Sequence, residues 1–395
     1  MSGSMTQWLE RQAAVRERRG QVRRPLPRTA HERFIDLASN DYLGLATDPR
    51  VAGAAAEAAS RWGAGATSSR LVAGTTQLHL DLEQELATLA GMEAALVFSS
   101  GYLANIGVIT ALGGPGTLII ADEHCHASMI DGFRLSRSRT ESFAHNSVGE
   151  AGRLLADRRE PRAVIAVESV YSVLGDAAPL ADLLAVAEQR DAVLLIDEAH
   201  SLGVTGSGSF AGRGAVAGTA LAGHLNVIVT ATLSKALGSQ GGAVLGSALL
   251  REHLLNRARS FIFDTGLAPA SAAAALAAAR IIRGEPWRAH SVHSNAAALA
   301  AGLAPALAGR GAVGQNGTAP DRTAGAVQSI PMPSAETVLA AAESARRAGV
   351  RVGCFRPPSV PDGIPRLRLT ARATLTPEEI EASCAVLRGI LEELP

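Results

Sequence analysis

One lysine stands apart from the other basic residues of the chain. Lys235, in the stretch TATLSKALGSQGG, is the only lysine among 37 lysine and arginine residues. Arginine supplies positive charge as well as lysine does, but it does not lose its proton to become a nucleophilic amine. Chance retention of a single lysine is one explanation. The other is a reaction that needs a free amine, and Lys235 is the first candidate for it.

Polar residues follow four apolar runs that have the length of buried strands. In an open α/β sheet, ligands bind beyond the carboxyl ends of the strands. Taken singly, each acidic or hydroxyl residue at such an end is better explained by capping of the next helix. Together with a unique lysine, they indicate a common site. The residues at or after these ends are Glu168, Ser172, Asp197, His200, Thr230, Thr232, Lys235 and His126.

The letters DEAH at residues 197–200 also mark the magnesium-binding motif of a helicase family. That chemistry requires a phosphate loop of the form GxxxxGK[ST]. Here the only lysine is followed by alanine, so the loop is missing. The 37 acidic and 37 basic residues give a formal net charge of zero, which provides no basic surface for nucleic acid. The sequence therefore excludes a nucleic-acid motor and predicts no nucleic-acid partner.

A turn with the properties of a phosphate site follows the apolar run AALVF. The segment FSSGYLANIG places Ser99, Ser100, Gly101 and Tyr102 at the start of a helical pattern. Free backbone N–H groups and the helix dipole favour an anion at such a position. A cofactor with an aldehyde for Lys235, a phosphate for this turn and a ring nitrogen for an aspartate is pyridoxal phosphate.

The strands and helices that must position these residues are arranged along the sequence in a pattern that predicts an α/β fold. The runs AALVFSS, GTLIIAD, RAVIAVES, AVLLIDEAH, NVIVTAT and GGAVLG are strand candidates separated by helical patterns. Continuously apolar strands of this kind indicate a mostly parallel sheet between helices. We expect an N-terminal helix and extended segment over 1–49, a large cofactor-binding domain over 50–285 and a C-terminal α+β domain over 286–395.

Composition limits the cellular setting. The chain has 395 residues, 47% of them hydrophobic, which is enough for a large core. Three widely spaced cysteines suggest neither a disulfide framework nor a zinc site. The charged N-terminus lacks the apolar core of a signal peptide, and no apolar run is long enough to cross a membrane. We expect a cytoplasmic protein with no metal and no membrane contact.

These motifs together resemble the α-oxoamine synthases among the fold-type I pyridoxal phosphate transferases. The resemblance extends from about residue 38 to residue 374, nearly the whole chain. It is carried by the motifs SNDYLGL, FSSGYLAN, VESVYSVLGDAAPL, DEAHSLGVTGSGSFAGRG, TLSKALGSQGG and RLRLT. It implies a large domain with a mostly parallel sheet, a small N-terminal segment and a C-terminal α+β domain.

The resemblance also implies roles for individual residues of the cofactor site. Lys235 matches the lysine that forms the Schiff base, and Asp197 matches the partner of the pyridine nitrogen. His126 matches a histidine stacked on the cofactor ring. Ser172 and His200 match residues facing the phenolic oxygen of that ring. The matching phosphate contacts are Gly101, Tyr102, Thr232 and, from the neighbouring subunit, Thr265.

For the substrate, the resemblance assigns Asn40 and Arg368 to the amino acid, with Arg368 holding its carboxylate. The similarity is greatest to members that condense L-alanine with pimeloyl-CoA, or with pimeloyl-acyl carrier protein, and release carbon dioxide in biotin biosynthesis. It further implies a homodimer with a shared active site. Asp264 stands where the family more usually has serine, and Thr265 beside it keeps the hydroxyl.

Two alternatives remain open at this stage. Related enzymes that use glycine, glycine C-acetyltransferase and 5-aminolevulinate synthase, share the scaffold. Ser69 stands where aminolevulinate synthases carry a threonine that crowds the alanine methyl. One methyl group contributes about 1 to 3 kcal/mol to the discrimination between two substrates. This favours alanine. The second alternative, a non-catalytic regulatory protein on the same fold, would be marked by loss of Lys235 or Asp197, and both are present.

Finally, the N-terminal segment has more apolar residues than a segment of its size can bury alone. We expect them to pack on a second subunit across a two-fold interface. They are Phe34, Ile35, Leu37, Tyr42 and Leu43.

Overall fold

The computed structural model describes residues 3–30, 32–308 and 324–393. The helices are α1 (Ser4–Arg18), α2 (Pro49–Trp62), α3 (Gln77–Ala90), α4 (Gly101–Leu112), α5 (Ala127–Ser136), α6 (Val148–Ala156), α7 (Leu180–Gln189), α8 (Ala248–Arg257), α9 (Arg259–Ile262), α10 (Pro269–Gly284), α11 (Trp287–Leu307), α12 (Ala335–Arg347) and α13 (Pro377–Glu392). Short 3-10 helices occupy Leu45–Thr47 and Gly208–Phe210, and a π-helical turn occupies Arg70–Gly74. The sequence GQNGTAPDRTAG, residues 314–325, predicts a polar loop, and its residues 314–323 lie outside the described residues.

The strands form two sheets. They are β1 (Ile35–Leu37), β2 (Ala94–Phe98), β3 (Thr117–Asp122), β4 (Arg139–Phe143), β5 (Arg162–Glu168), β6 (Val193–Asp197), β7 (Val227–Thr232), β8 (Gly242–Gly246), β9 (Val327–Pro331), β10 (Val350–Phe355) and β11 (Arg366–Thr370). The large sheet has the order β2-β8-β7-β6-β5-β3-β4. β8 runs in the direction opposite to the other six strands. The predicted α/β fold with a mostly parallel sheet is confirmed.

The large sheet is buried on both faces, because apolar side chains alternate between two cores. In β3, Leu118 and Ile120 belong to one core and Ile119 belongs to the other. The first core includes residues of α3, α7 and α10, and the second includes residues of α4, α5 and α8. This double burial explains the continuous apolar runs that identify these strands in the sequence.

Register places the polar strand ends side by side. Glu168 at the end of β5 is opposite Asp197 at the end of β6, and Asp197 is opposite Thr230 in β7. The segment after β7 carries Lys235. The carboxyl edge of the sheet therefore gathers the residues that the sequence singles out.

A four-stranded sheet of order β1-β10-β11-β9 joins the two ends of the chain. β1 runs parallel to β10, with Ile35 opposite Val350. Strand structure in the N-terminal segment is confined to 35–37, so the prediction of a longer extended run was wrong. The three-part division at residues 49 and 285 stays a prediction.

The expectation that the N-terminal apolar residues need a second subunit was also wrong for three of them. Leu37, Tyr42 and Leu43 are fully or almost fully buried in the core of their own chain. In the part of the chain that the structure describes, no helix is long and apolar enough to cross a membrane.

Candidate active site

A chain of hydrogen bonds surrounds Lys235 at the carboxyl edge of the large sheet. The Nζ atom of Lys235 lies 2.8 Å from Nε2 of His200, and Nδ1 of His200 lies 2.5 Å from the Tyr42 hydroxyl. Tyr42 in turn donates to Oδ1 of Asn40 over 3.2 Å. Tyr42 and His200 are buried. The lysine amine is thus held by a neutral, ordered set of partners.

Burial controls the protonation of this set. Desolvation is the largest effect on Lys235 and lowers the pKa of its amine from 10.5 to about 8. Burial, followed by the charge of Lys235, lowers the pKa of His200 well below its usual range. The pKa of Tyr42 is raised, again mainly by burial. His200 is therefore neutral near pH 7, and Lys235 loses its proton far more easily than an exposed lysine.

Asp197 is buried and fixed by two donors. Oδ2 accepts from Nδ2 of Asn105 over 2.7 Å, and Oδ1 accepts from the backbone N–H of Ala199 over 2.9 Å. Thr230 donates to Oδ1 of Asn105 over 2.7 Å, which sets the orientation of the amide. A carboxylate oriented in this way can stabilise a positive charge or hold a proton on a ring nitrogen.

His126 belongs to the same region through Ser128. Nδ1 of His126 contacts Oγ of Ser128 at 2.7 Å, and Ser128 also accepts from Asn105 over 2.9 Å. His126 is the N-cap of α5 and is exposed. Loss of hydration around the ring lowers the pKa of His126. Its position places a neutral imidazole near Asp197, and the stacking role of His126 stays a prediction.

Arg368 links β11 to the site. It is 2% exposed, and its Nε donates to the carbonyl of Ser172 over 2.7 Å while NH1 donates to Oδ1 of Asn40 over 3.0 Å. Its NH2 group is buried and has no hydrogen-bond partner among the described residues. A buried guanidinium with one free donor group is suited to a carboxylate. The structure brings Asn40, Ser172 and Arg368 together, as the sequence predicts.

The turn before α4 has the geometry of an anion site. Ser100 caps the helix, since its Oγ accepts from the N–H of Leu103 over 3.2 Å. The amides of Gly101 and Tyr102 are the first of the helix and have no partner within it. A Cβ atom on Gly101 would lie 3.0 Å from Cβ of Thr232, and one on Gly242 would lie 2.4 Å from the backbone nitrogen of Gly101. Glycine at both positions keeps this end of the helix accessible.

Three predicted residues lie apart from the lysine network. Ser69 and Thr265 form an isolated antiparallel bridge, and Thr265 is exposed. The hydroxyl of Tyr102, a side chain 42% exposed, donates to Asp131. Among the described residues, none of the three forms a hydrogen bond with Lys235 or His200. The group that Tyr102 offers at the N-terminus of α4 is its backbone amide, since its side chain is bonded to Asp131.

Asp264 points toward the turn before α4 of its own chain. It accepts a hydrogen bond from the hydroxyl of Ser99, and its Oδ1 accepts the backbone N–H of Thr265 over 3.0 Å. The carboxylate is thus occupied by local donors. No described residue is hydrogen-bonded to the hydroxyl of Thr265.

Glu168 is a second buried acid at this edge. Its Oε2 accepts from the backbone N–H of Ser172 over 3.1 Å, and its Oε1 has no partner among the described residues. Burial, with the charge of Asp197 as the next cause, raises the pKa of Glu168 to about 8. Glu168 therefore stays largely protonated near pH 7.

Sequence reasoning missed Tyr42 and Asn105 as members of the site. Both lie inside motifs used for the resemblance, SNDYLGL and FSSGYLAN. An additional signal for Asn105 was available, because a polar amide in the first turns of an otherwise apolar helix needs a partner. No pattern in the sequence indicates that Tyr42 meets His200, 158 residues further on.

Comparison with known proteins defines the family. Residues 32–387 match the family Aminotransferase class I and II. Over 384 residues, the chain is 49% identical to an 8-amino-7-oxononanoate synthase of Mycobacterium sp. (strain JLS), covering 97% of this chain and 96% of that one. The chain belongs to the 8-amino-7-oxononanoate synthase family. This family lies within the α-oxoamine synthases, so the expected resemblance is confirmed.

Two solved structures share the fold of this chain. Serine palmitoyltransferase from S. paucimobilis, with bound PLP–myriocin aldimine, has a TM-score of 0.87 at 29% identity and covers 98% of each chain. An 8-amino-7-oxononanoate synthase from Francisella tularensis has a TM-score of 0.74 at 24% identity, covering 91% of this chain and 98% of that one. The second likeness supports the fold alone.

Proposed function

We propose that this protein catalyses the decarboxylative condensation of L-alanine with a pimeloyl thioester, giving 8-amino-7-oxononanoate, the free thiol and carbon dioxide. The observation that carries the proposal is the partly buried amine of Lys235, 2.8 Å from a neutral His200, at the sheet edge where Asp197 ends β6. Such an amine can add to an aldehyde and can move a proton at a neighbouring carbon. The names of the relatives supply the substrate pair.

Pyridoxal phosphate fits the residues present. The helix end at Gly101 offers amides to a phosphate, Lys235 offers an amine and Asp197 offers a carboxylate. Thr232 adds a hydroxyl, which lies 2.8 Å from that of Ser234. When bound, this cofactor supplies an aldehyde for amines and a ring that delocalises negative charge from the amino acid's Cα.

Lys235 and Asp197 divide the work on the amino acid. With a pKa of about 8, the Lys235 amine is a competent base for the Cα proton near neutral pH, and it can return that proton to the product. Asp197, ordered by Asn105, would hold a proton on the ring nitrogen of the bound cofactor through its charge. His200 and Tyr42 keep the lysine in place without adding a charge that would compete with it.

Arg368 binds the carboxylate of the amino acid, and Asn40, hydrogen-bonded to Arg368, helps to hold the amino acid. The unpartnered NH2 of Arg368 is the free donor, while its Nε and NH1 are tied to Ser172 and Asn40. This arrangement fixes the direction of the guanidinium before substrate arrives. Orientation of the substrate by a preformed cation lowers the entropic cost of reaching the transition state.

We further propose a cytoplasmic homodimer in which Thr265 reaches the phosphate of the partner's cofactor. The support is the exposed apolar surface beside the Ser69–Thr265 bridge: Leu71 is 53% exposed, Val72 81% and Phe263 71%. Side chains of this kind are enriched in the cores of stable interfaces. A second copy of the chain would cover them and bring Thr265 to the other site. The three cysteines are free thiols, which suits a reducing compartment.

The experiment that tests this function combines amino acids with thioesters. Purified holoprotein receives L-alanine, glycine or L-serine with pimeloyl-CoA, pimeloyl-acyl carrier protein, acetyl-CoA, succinyl-CoA or palmitoyl-CoA, and thiol release is recorded for each pair. We expect the largest kcat/KM for L-alanine with a pimeloyl thioester. A preference for glycine with acetyl-CoA or succinyl-CoA would replace this function with one of the glycine-dependent activities.

A further inference from the structure

A buried histidine outside the lysine network joins two carboxylates. Nδ1 of His145 lies 2.9 Å from Oδ1 of Asp122, and its Nε2 lies 2.8 Å from Oδ2 of Asp176. The His145 side chain is 6% exposed and that of Asp122 is fully buried. Asp122 ends β3, His145 follows β4 and Asp176 follows β5. One imidazole therefore connects three loops at the same edge of the sheet that carries Lys235.

This histidine is charged near neutral pH. A carboxylate accepts hydrogen bonds only, so a ring bonded to one at each nitrogen carries a proton on both. Burial opposes the charge, but the hydrogen bonds from His145 to Asp122 and Asp176 outweigh it and raise its pKa to about 9. The ligand atoms of Asp122, His124 and His145 all lie within 4.8 Å of one another, yet His145 has no free lone pair for a metal ion. The geometry is that of an ion-paired imidazolium.

The other groups around His145 do not compete for its proton. The His124 ring stacks on it with centroids 3.9 Å apart, and the Tyr171 ring meets it edge-on at 4.4 Å. Burial, followed by the charge of His145, lowers the pKa of His124. Burial also raises the pKa of Tyr171. Glu123, which is exposed, accepts only the backbone N–H of His145.

On one side, the imidazolium fixes the loop that leads to His126. Asp122 accepts the backbone N–H of His124 over 2.8 Å and that of Asn146 over 2.8 Å. Its carbonyl accepts the N–H of Cys125 over 3.1 Å. These bonds determine the path of residues 122–126 and so the position from which His126 caps α5.

On the other side, it fixes the hairpin that carries Ser172. Oδ2 of Asp176 also accepts from Nδ2 of Asn146 over 2.9 Å. Within the hairpin, the Tyr171 N–H donates to the carbonyl of Asp176 over 2.9 Å, and Val170 bridges Ala177. The carbonyl of Ser172, at the tip, is the acceptor for Nε of Arg368.

We propose that His145 is a positioning residue for the substrate amino acid: it clamps the Ser172 hairpin, and through it Arg368, against the loop that carries His126. The proposal rests on the proposed function only in taking Arg368 as the carboxylate site. Loss of the clamp would let the Ser172 carbonyl move, and the guanidinium would lose one of the acceptors that set its direction. Affinity for the amino acid should fall, while binding of the cofactor phosphate at the α4 end should not.

The test cuts the same link from both ends. The variants are His145→Gln, Asp176→Asn and the double variant, with His224→Gln as the control. His224 is also paired with a carboxylate, Glu188 at 2.9 Å, but that pair is on the surface. Each purified holoprotein is titrated with L-alanine, glycine and L-serine without thioester, following the cofactor absorbance, and cofactor affinity and thermal stability are measured in parallel.

We expect the amino-acid Kd to rise about 10-fold in both single variants and no further in the double variant, because the two changes break one link. The cofactor Kd should stay within about 3-fold of wild type, and His224→Gln should change neither. Wild-type amino-acid affinity in cofactor-loaded Asp176→Asn and His145→Gln, with only a lowered melting temperature, would overturn the proposal. So would additive losses in the double variant. Since no thioester is used, a wrong acyl substrate would leave this result intact.

Discussion

The amine of Lys235 and Nε2 of His200 are 2.8 Å apart, and the same imidazole meets the Tyr42 hydroxyl at 2.5 Å through its other nitrogen. A neutral imidazole has one donor and one acceptor nitrogen, so it can hold both partners without a net charge. Because it is uncharged, it does not repel the lysine when that side chain gains or loses a proton. The only lysine of the chain is thus partly buried, ordered and easily deprotonated.

The first prediction concerns the pH at which this amine becomes reactive. The pKa of Lys235 is lowered from 10.5 to about 8, chiefly by burial, so the free amine should be half populated near pH 8. At pH 7 to 8 the free-amine fraction is then on the order of 10²-fold larger than for an exposed lysine. The uptake rate of pyridoxal phosphate by apoprotein should rise with pH and level off above about pH 8. The reaction of Nα-acetyl-lysine with pyridoxal phosphate is the control. If the uptake rate of the apoprotein keeps rising toward pH 10, as the rate of the control does, the pKa of Lys235 is not lowered.

The second prediction separates the charge of Asp197 from its shape. Asp197→Asn keeps the size and a hydrogen-bonding oxygen but cannot hold a proton on a ring nitrogen by charge. We expect cofactor binding to be weakened but detectable, and exchange of the alanine Cα proton with deuterium to slow by on the order of 10²-fold or more. Exchange is followed by NMR without thioester. Near wild-type exchange would remove Asp197 from this role.

The third prediction is a pH-dependent stability from His145. Its pKa is raised from 6.5 to about 9, so the folded state holds the proton more tightly than the unfolded chain. The stabilisation is fully present below about pH 6.5, declines between 6.5 and 9 and is lost above that. Its pH-dependent part should be about 3 kcal/mol. The free energy of unfolding of wild type and His145→Gln, measured by urea denaturation from pH 6 to 9.5, should converge as pH rises. A constant difference across this range would mean that His145 is not charged.

The fourth prediction concerns the shared site. Lys235→Ala should be inactive, and Thr265→Ala should be severely impaired if Thr265 binds the partner's phosphate. In a mixed dimer, one site carries both lesions and the other carries neither, so about a quarter to a half of the activity should return per heterodimer. Mixing the two chains and assaying thiol release checks this. Full activity of a monomer in sedimentation at assay concentration, or no recovery on mixing, would rule out the shared site.

The sequence predicted the large sheet well because its strands are buried on both faces. Apolar runs such as VLLID in β6 and VIVTAT in β7 read as strands whatever their neighbours are. β4, with the sequence RTESF, was missed, because as an edge strand it exposes polar side chains and lacks that signal. The segment after residue 37 was predicted as extended, but Asp41 accepts the N–H of Leu45 and a 3-10 helix forms instead.

In the candidate site too, the residues with a local sequence signal were predicted and the long-range contacts were not. Lys235, Asp197 and His200 were predicted because each follows a buried strand and has a reactive side chain. The contacts that organise them join residues far apart in the chain: Tyr42 to His200, Asn105 to Asp197 and His145 to Asp176. No local periodicity encodes such pairs, since they arise only when the strands lie in register. The assigned roles of the individual site residues remain predictions.

The central claim is that the amine of Lys235 carries the reaction, and replacing it with arginine tests this most directly. Arginine keeps the positive charge of the position but supplies no free amine. Wild type and Lys235→Arg, each supplied with pyridoxal phosphate, L-alanine and pimeloyl-CoA, are compared by thiol release and by mass spectrometry of the amino ketone. The account predicts one thiol per 8-amino-7-oxononanoate in the wild type and a loss of at least about 10³-fold in the variant. Substantial turnover by Lys235→Arg would contradict it.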